Sequence, residues 1–156
     1  MSGPAKALVF GAYPPMPGSE AAATLATVRA LLAGGADVEV VSPEPSGAHR
    51  HADVRRLTGA LRLAGWVAAA ERVVLHLDPG LVLGWLDGRT VPPGRLALGL
   101  ALRRPSEVRV ELGPIRGRLD DRSVRAVLGS AGRVVAASRF DRDLLVAAGS
   151  GPGLGG

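Results

Sequence analysis

The chain contains no cysteine. Disulfide staples, thiolate metal sites and cysteine nucleophiles are therefore excluded. Aromatics are nearly as scarce, with Phe10, Tyr13, Trp66, Trp85 and Phe140 the whole complement. A core must then be built from Val, Leu and Ala, and a stacking platform for single-stranded nucleic acid lacks its material. Lysine occurs once, as Lys6, so the net charge of +5 is carried by arginine. The arginines are scattered along the chain, a skew that fits GC-rich coding and argues against a nucleic-acid partner. No apolar run reaches the roughly 18 residues that span a bilayer. The first six residues lead straight into a strand-like segment, with no room for a secretory apolar stretch. The expectation is a cytoplasmic protein without an integral membrane segment.

What is present suits one folded domain. The 156 residues are 47% hydrophobic and 21% charged, a globular balance long enough to bury a core. Ala7 to Ala12 is a short apolar run ending in glycine and alanine, the pattern of a strand buried on both faces. Pro14, Pro15 and Pro17 then forbid regular structure. Ser19 suits an N-cap, Glu20 suits the positive end of a helix dipole, and helical spacing runs to Ala33 before the Gly34-Gly35 stop. Asp37 to Ser42 reads as a second strand and Pro43 to Arg50 as a polar loop. Asp53 to Ala70 reads as a long amphipathic helix and Arg72 to Leu77 as a third strand. Leu81 to Leu86 fits a short helix, and Pro92-Pro93 opens another through Arg103. Glu107 to Leu112 is the fourth strand, Asp121 to Leu128 a helix, Arg133 to Ala137 the fifth strand and Arg139 to Ala148 the last helix.

Strands alternating with helices predict an α/β fold, a Rossmann-like open parallel sheet of about five strands with helices on both faces. A generic flavodoxin-like arrangement satisfies the same pattern. Residues 1–149 form the predicted domain, and the glycine-rich residues 150–156 read as a tail or linker remnant.

In such a sheet, ligands bind beyond the carboxyl ends of the strands. That rule selects Gly11 to Ser19, His76 to Gly80, Leu112 to Arg118 and Ser138-Arg139. Gly11 and Gly18 permit close backbone approach, and the helix opening at Ser19 points free N–H groups at the loop, which would suit a phosphate or carboxylate. The same glycines and prolines also fit a plain turn of the chain. The spacing gives neither G-x-G-x-x-G nor a Walker loop, and no G-x-S-x-G nucleophile elbow occurs. His76 and Asp78 project from one side of the third strand and could share a proton. Alternatively, His76 is a hydrogen-bonded strand-end residue and Asp78 caps the next turn. His49, His51 and Asp53 lack a further strong ligand nearby and read as solvated loop residues, so no metal is expected.

The stretch Ala7-Leu8-Val9-Phe10-Gly11-Ala12-Tyr13-Pro14-Pro15-Met16-Pro17-Gly18-Ser19-Glu20 resembles the opening of family 4-type GT-B glycosyltransferases, a strand, a Y/F-P-P-x-x-G-G-type loop and a helix. Leu31 to Ser42 is similar to that family's L-x-x-x-G-H-x-V-x-V-x-T stretch. Val73 to Pro79 resembles its third buried strand, and Val134 to Phe140 with Leu144-Leu145 its V-x-x-x-S-x-x-x-x-x-x-L segment. The likeness covers residues 5–149 and implies the N-terminal, acceptor-side domain. It implies metal-independent transfer from a nucleotide sugar to a sugar acceptor, with no cofactor. Gly11, Tyr13, Pro15, Gly18, Ser19, Ser138 and Arg139 would line an interdomain cleft, with His76, Asp78 and Glu111 as the chemical groups. Two departures stand out. Family members carry a His at the end of the fourth strand, where this chain has Val110-Glu111-Leu112-Gly113. They also need a donor-binding domain, which these residues do not contain, so a separately supplied donor-binding chain is the expected partner. The alternative is a non-catalytic Rossmann-like module that binds a small anionic ligand or a partner protein.

Overall fold

The computed structural model describes residues 5–15, 17–88 and 90–149 and the backbone of 154–155. Its strands are β1 (Lys6–Phe10), β2 (Asp37–Ser42), β3 (Arg50–His51), β4 (Arg72–Leu77), β5 (Glu107–Leu112), β6 (Arg133–Val135) and β7 (Leu154–Gly155). Its helices are α1 (Ser19–Ala33), α2 (Leu57–Ala69), α3 (Pro79–Val82), α4 (Pro93–Ala101), α5 (Asp121–Leu128) and α6 (Arg139–Ala147). The seven described strands form one sheet in the order β3-β2-β1-β4-β5-β6-β7, and every pairing is parallel. This is the expected Rossmann-like α/β fold, widened by two-residue strands at both edges. Arg50–His51, placed by composition in a polar loop, pairs with Val41 and Ser42. Leu154–Gly155, read as tail, pairs with Val134 and Val135; residues 150–153 and 156 of that tail lie outside the described residues.

Strand parity decides what each face becomes. Leu8, Phe10, Val73, Leu75, Leu77, Val108, Val110, Leu112 and Val134 fall in register on one face and form the main core with α2, α4, α5 and α6. Leu63, Val67, Leu98, Val124, Val127 and Leu145 are the helical side of that core. Each such side chain, fully buried, contributes roughly 1.5–3 kcal/mol relative to exposure. The other face is covered by α1, whose Val28 packs on Val9 and Val40. Helices thus lie on both faces, unequally. Beyond α1, the second face of β5 stays open, with Glu107 and Arg109 exposed.

Element ends follow local chemistry. α1 begins at Ser19 with Gly18 as its cap, at φ +115° and with no side-chain cap bond. Ser19 is therefore the first helical residue rather than the expected cap, because glycine tolerates the turn into the helix there. Its C-terminus is a Schellman close: Gly35, at φ +86°, donates to Leu32 O, and Ala36 donates to Leu31 O. α2 starts four residues later than the periodicity suggests, because the Asp53 carboxylate accepts from the Arg55 N–H and side chain and holds a turn. α3 starts earlier than expected, at Pro79, because Asp78 accepts from Gly80 N at 3.0 Å and proline suits a first turn. Asp120 caps α5, accepting from Ser123 N at 3.0 Å and Ser123 Oγ at 2.6 Å.

The helices on the main face touch through glycine. A Cβ at Gly99 of α4 would fall inside the Ala126 carbonyl of α5, and one at Gly94 would lie 2.9 Å from Ala60 Cβ in α2. Gly65 in α2 faces open space. Gly99→Ala is expected to destabilise the domain by about 3 kcal/mol, through forced separation of two backbones. Gly65→Ala is expected to stabilise it by about 0.5–1 kcal/mol, through helix propensity. Chemical denaturation midpoints of the two variants measure the contrast.

Candidate functional site

The strand order reverses between β1, which leads to β2, and β4, which leads outward to β5. This switch point is where an open parallel sheet leaves a crevice. A crevice of about 520 Å³ lies there. Phe10 and Ala12 at the end of β1, Ser19 and Glu20 at the start of α1, and Asp78 after β4 help to line it. His76, Glu111, Gly113, Arg116 and Glu44 complete its polar wall. Of the residues singled out by sequence, Ser19, His76, Asp78 and Glu111 are therefore brought together. Gly11, Tyr13, Pro15, Gly18, Ser138 and Arg139 stand at the same edge of the sheet but outside the crevice lining.

Those six have other surroundings. Gly11 is buried beneath α1, where a Cβ would come within 2.6 Å of Thr24 Oγ1 and 2.9 Å of His76 Cβ. Its missing side chain lets α1 approach β4. Tyr13 packs on the second-face core of Val9, Val28 and Val40, and Pro14 O accepts from Gly47 N, tying this loop to the one after β2. The Pro14–Pro15 bond is cis. Ser138 caps α6 by accepting from Asp141 N at 3.1 Å, and Arg139 is exposed. His49 Nδ1 accepts from Val40 N at 3.0 Å, and His51 Nδ1 lies 3.3 Å from Ser42 Oγ.

His76 is the centre of the polar wall. β4 and β5 run in register with His76 opposite Glu111, and Nδ1 lies 3.2 Å from Glu111 Oε2. A carboxylate only accepts, so Nδ1 carries the proton. Nε2 lies 2.9 Å from Thr27 Oγ1. Burial pushes the imidazole pKa below its usual value; Glu111 pulls it up and Arg109 pushes it down. The neutral ring therefore accepts at Nε2 from the Thr27 hydroxyl. When the ring is protonated, that hydroxyl can turn to the Ala23 carbonyl at 3.2 Å and accept instead. Arg109 Nη2 holds the other oxygen, Glu111 Oε1, at 2.5 Å.

Among the described residues no His76–Asp78 hydrogen bond occurs. The proton-sharing partner of His76 is Glu111, and Asp78 caps α3 through one oxygen, which leaves the other open to the crevice mouth. Thr27 and Arg109 escaped the sequence reading. Thr24 and Thr27 lie three apart on α1, and such a polar pair on a helix face that packs on a sheet is the signal that would have found them. The lining holds four carboxylates, Glu20, Glu44, Asp78 and Glu111, against one guanidinium, Arg116. Glu111 is offset by Arg109, and the rest have no ion-pair partner among the described residues. The crevice is negative within a chain of net charge +5.

Fold and crevice together define a Rossmann-like α/β domain with a polar site at its topological switch point. The chain matches no known family model, no curated protein and no solved structure.

A titration tests the electrostatics. The native state binds fewer protons at His76 than the unfolded chain, so this group's stabilisation is complete above 6.5 and is lost as pH falls below it. In Glu111→Gln the His76 pKa is expected to fall further, since the group that raises it is gone. NMR titration of the imidazole, with His49 and His51 as internal comparisons, reads both. A His76 value at or above the ordinary one would contradict the burial argument.

Proposed function

We propose that this chain is the acceptor-side half of a GT-B-type glycosyltransferase, holding a hydroxyl-bearing acceptor for transfer from a nucleotide sugar. The observation that carries the reading is the gathering of Ser19, His76, Asp78 and Glu111 around one crevice at the switch point. The resemblance of the first loop and helix supports it. In this reading Asp78, exposed and with one free oxygen, accepts the acceptor hydroxyl's hydrogen bond. Glu111 and His76 position the wall rather than exchange protons, because each of their polar atoms already has a partner. The donor's nucleotide would be gripped by a second Rossmann-like domain across the crevice, and these residues supply one wall of that arrangement.

The charge of the lining narrows the acceptor. Three carboxylates without ion-pair partners outnumber the one guanidinium of the lining, Arg116, so the wall disfavours a phosphate and accepts hydrogen bonds from hydroxyl or ammonium groups. An uncharged polyol or an amino sugar fits this wall better than a sugar phosphate. A second reading, a non-catalytic Rossmann-like module, is favoured by one observation: both nitrogens of His76 are occupied. The negative lining weighs against the version of it that binds an anion at the start of α1.

The test supplies the chain with UDP-glucose or GDP-mannose, a separately expressed donor-binding domain, and glucose, glucosamine or glucose 6-phosphate as acceptor. Nucleotide release that requires both proteins and an acceptor is expected, with glucose 6-phosphate the poorest. Asp78→Asn is expected to lower kcat by about 100-fold, and Thr27→Val to cost about 1 kcal/mol of stability with little change in kcat. Absence of turnover together with unshifted Ser19, Asp78 and Gly113 amides in each acceptor would leave the non-catalytic module as the reading.

A further inference from the structure

We propose that the outer face of α2 and α4 is a docking surface for an acidic amphipathic helix of a partner protein. The inference is independent of the glycosyltransferase reading. Leu57 and Leu61 on α2 and Leu96 and Leu100 on α4 are 51%, 48%, 45% and 60% exposed. Spaced at i, i+4 on each helix, each pair forms a stripe on one side. The helices are neighbours in tight contact, and Leu57 Cδ1 lies 3.9 Å from where a Gly94 Cβ would be. Leu57 thus stands at the junction of the two helices, and the exposed leucines of this adjoining pair offer apolar surface of the kind that marks an interaction site.

Charge selects the occupant. Neither α2 nor α4 carries an acidic residue. Arg55 and Arg56 precede α2, Arg62 lies within it, and Arg103 and Arg104 follow α4. All five are exposed; Arg62 stacks over Trp66, Arg103 donates to Ser130 Oγ, and Arg55 and Arg56 outnumber the one nearby carboxylate, Asp53, which they share. An apolar centre rimmed by guanidiniums complements a helix with an apolar stripe and flanking carboxylates, which arginine grips in bidentate fashion.

Shape favours a protein over a flat surface. A recess of about 300 Å³ sinks between the starts of α2 and α4, lined by Leu57, Ala60, Leu63, Leu81, Val82 and Leu98. No carboxylate lines it among the described residues, and Arg55, Arg56 and Arg95 stand around it. Arg95 is held by the Gly84 carbonyl and Ser123 Oγ, each at 2.8 Å, so this rim is preorganised. Such a recess takes one large apolar anchor from the partner helix.

The probe is a synthetic peptide of about 18 residues, five helical turns, with Leu and one Phe on a single stripe and Glu on both flanks. Fluorescence anisotropy with the full chain is expected to show saturable binding. Affinity should drop at least tenfold in Leu57→Ser/Leu61→Ser and in Arg55→Gln/Arg56→Gln. A scrambled peptide of equal composition, and one with Lys for Glu, are expected to bind at least tenfold more weakly. All these side chains are exposed, so circular dichroism and thermal midpoints should match the parent. If either double variant melts early, Leu96→Ser and Arg104→Gln supply the same readout on the neighbouring helix. Equal binding of the Lys or scrambled peptide overturns the proposal, as does indifference to the leucine and arginine variants. Sedimentation with vesicles containing phosphatidylglycerol, abolished by the same variants, would assign the face to a membrane instead. A dimer by light scattering that Leu57→Ser/Leu61→Ser dissociates would assign it to a second copy.

Discussion

The parallel register of β4 against β5 is the constraint from which the rest of the molecule follows. It sets Leu75 beside Val110 and Leu77 beside Leu112 on the face that α2, α4 and α5 cover. Because side chains alternate along a strand, the same register puts His76 beside Glu111 on the opposite face, with Arg109 two residues back. A one-residue slip of β5 would turn Glu107, Arg109 and Glu111 into an aliphatic core at prohibitive desolvation cost. The core residues thus lock the polar cluster in place, although they never touch it.

That alternation also explains which part of the fold was legible. In β1, apolar residues point both ways because α1 covers one face and the larger helical layer the other, so the segment reads as a buried parallel strand. In β5 the pattern Glu-Val-Arg-Val-Glu-Leu is polar on one side, which signals a face left open. The two-residue edge strands carried no pattern to read, since two residues hold no period. Helix starts drifted where a side chain bonded locally: Asp53 delayed α2 and Asp78 advanced α3. Such bonds depend on a carboxylate's angle to the next turn, which hydrophobic spacing does not encode.

The candidate site was legible only as a place. The rule about carboxyl ends of strands located the crevice, and Ser19, His76, Asp78 and Glu111 line it. Their partnerships lie across elements far apart in sequence. Thr27 reaches His76 over 49 positions, and such a pairing requires the packing of α1 on β4 that Gly11 permits. Gly11 itself shows a packing demand that the sequence pattern did not express: its missing Cβ makes room for a threonine and a histidine.

Charge is distributed with the same economy. Arginine dominates the composition, yet the crevice gathers Glu20, Glu44 and Asp78 at its mouth, while the α2–α4 surface holds arginine and leucine and no carboxylate. The two regions meet, since Val54, Leu81 and Val82 line both the crevice and the recess beside α2. Neutral, half-buried His76 adds no positive charge to the negative wall at pH 7, and its pairing with Glu111 uses an oxygen that would otherwise face the crevice. The free acceptors of the wall are thereby Asp78, Glu20 and Glu44, all exposed, with Arg116 and Ser19 as the exposed donors beside them. A group that donates hydrogen bonds is the complement of those carboxylates, and the strand register contributes by tying Glu111 to His76, which leaves the exposed acids as the acceptors.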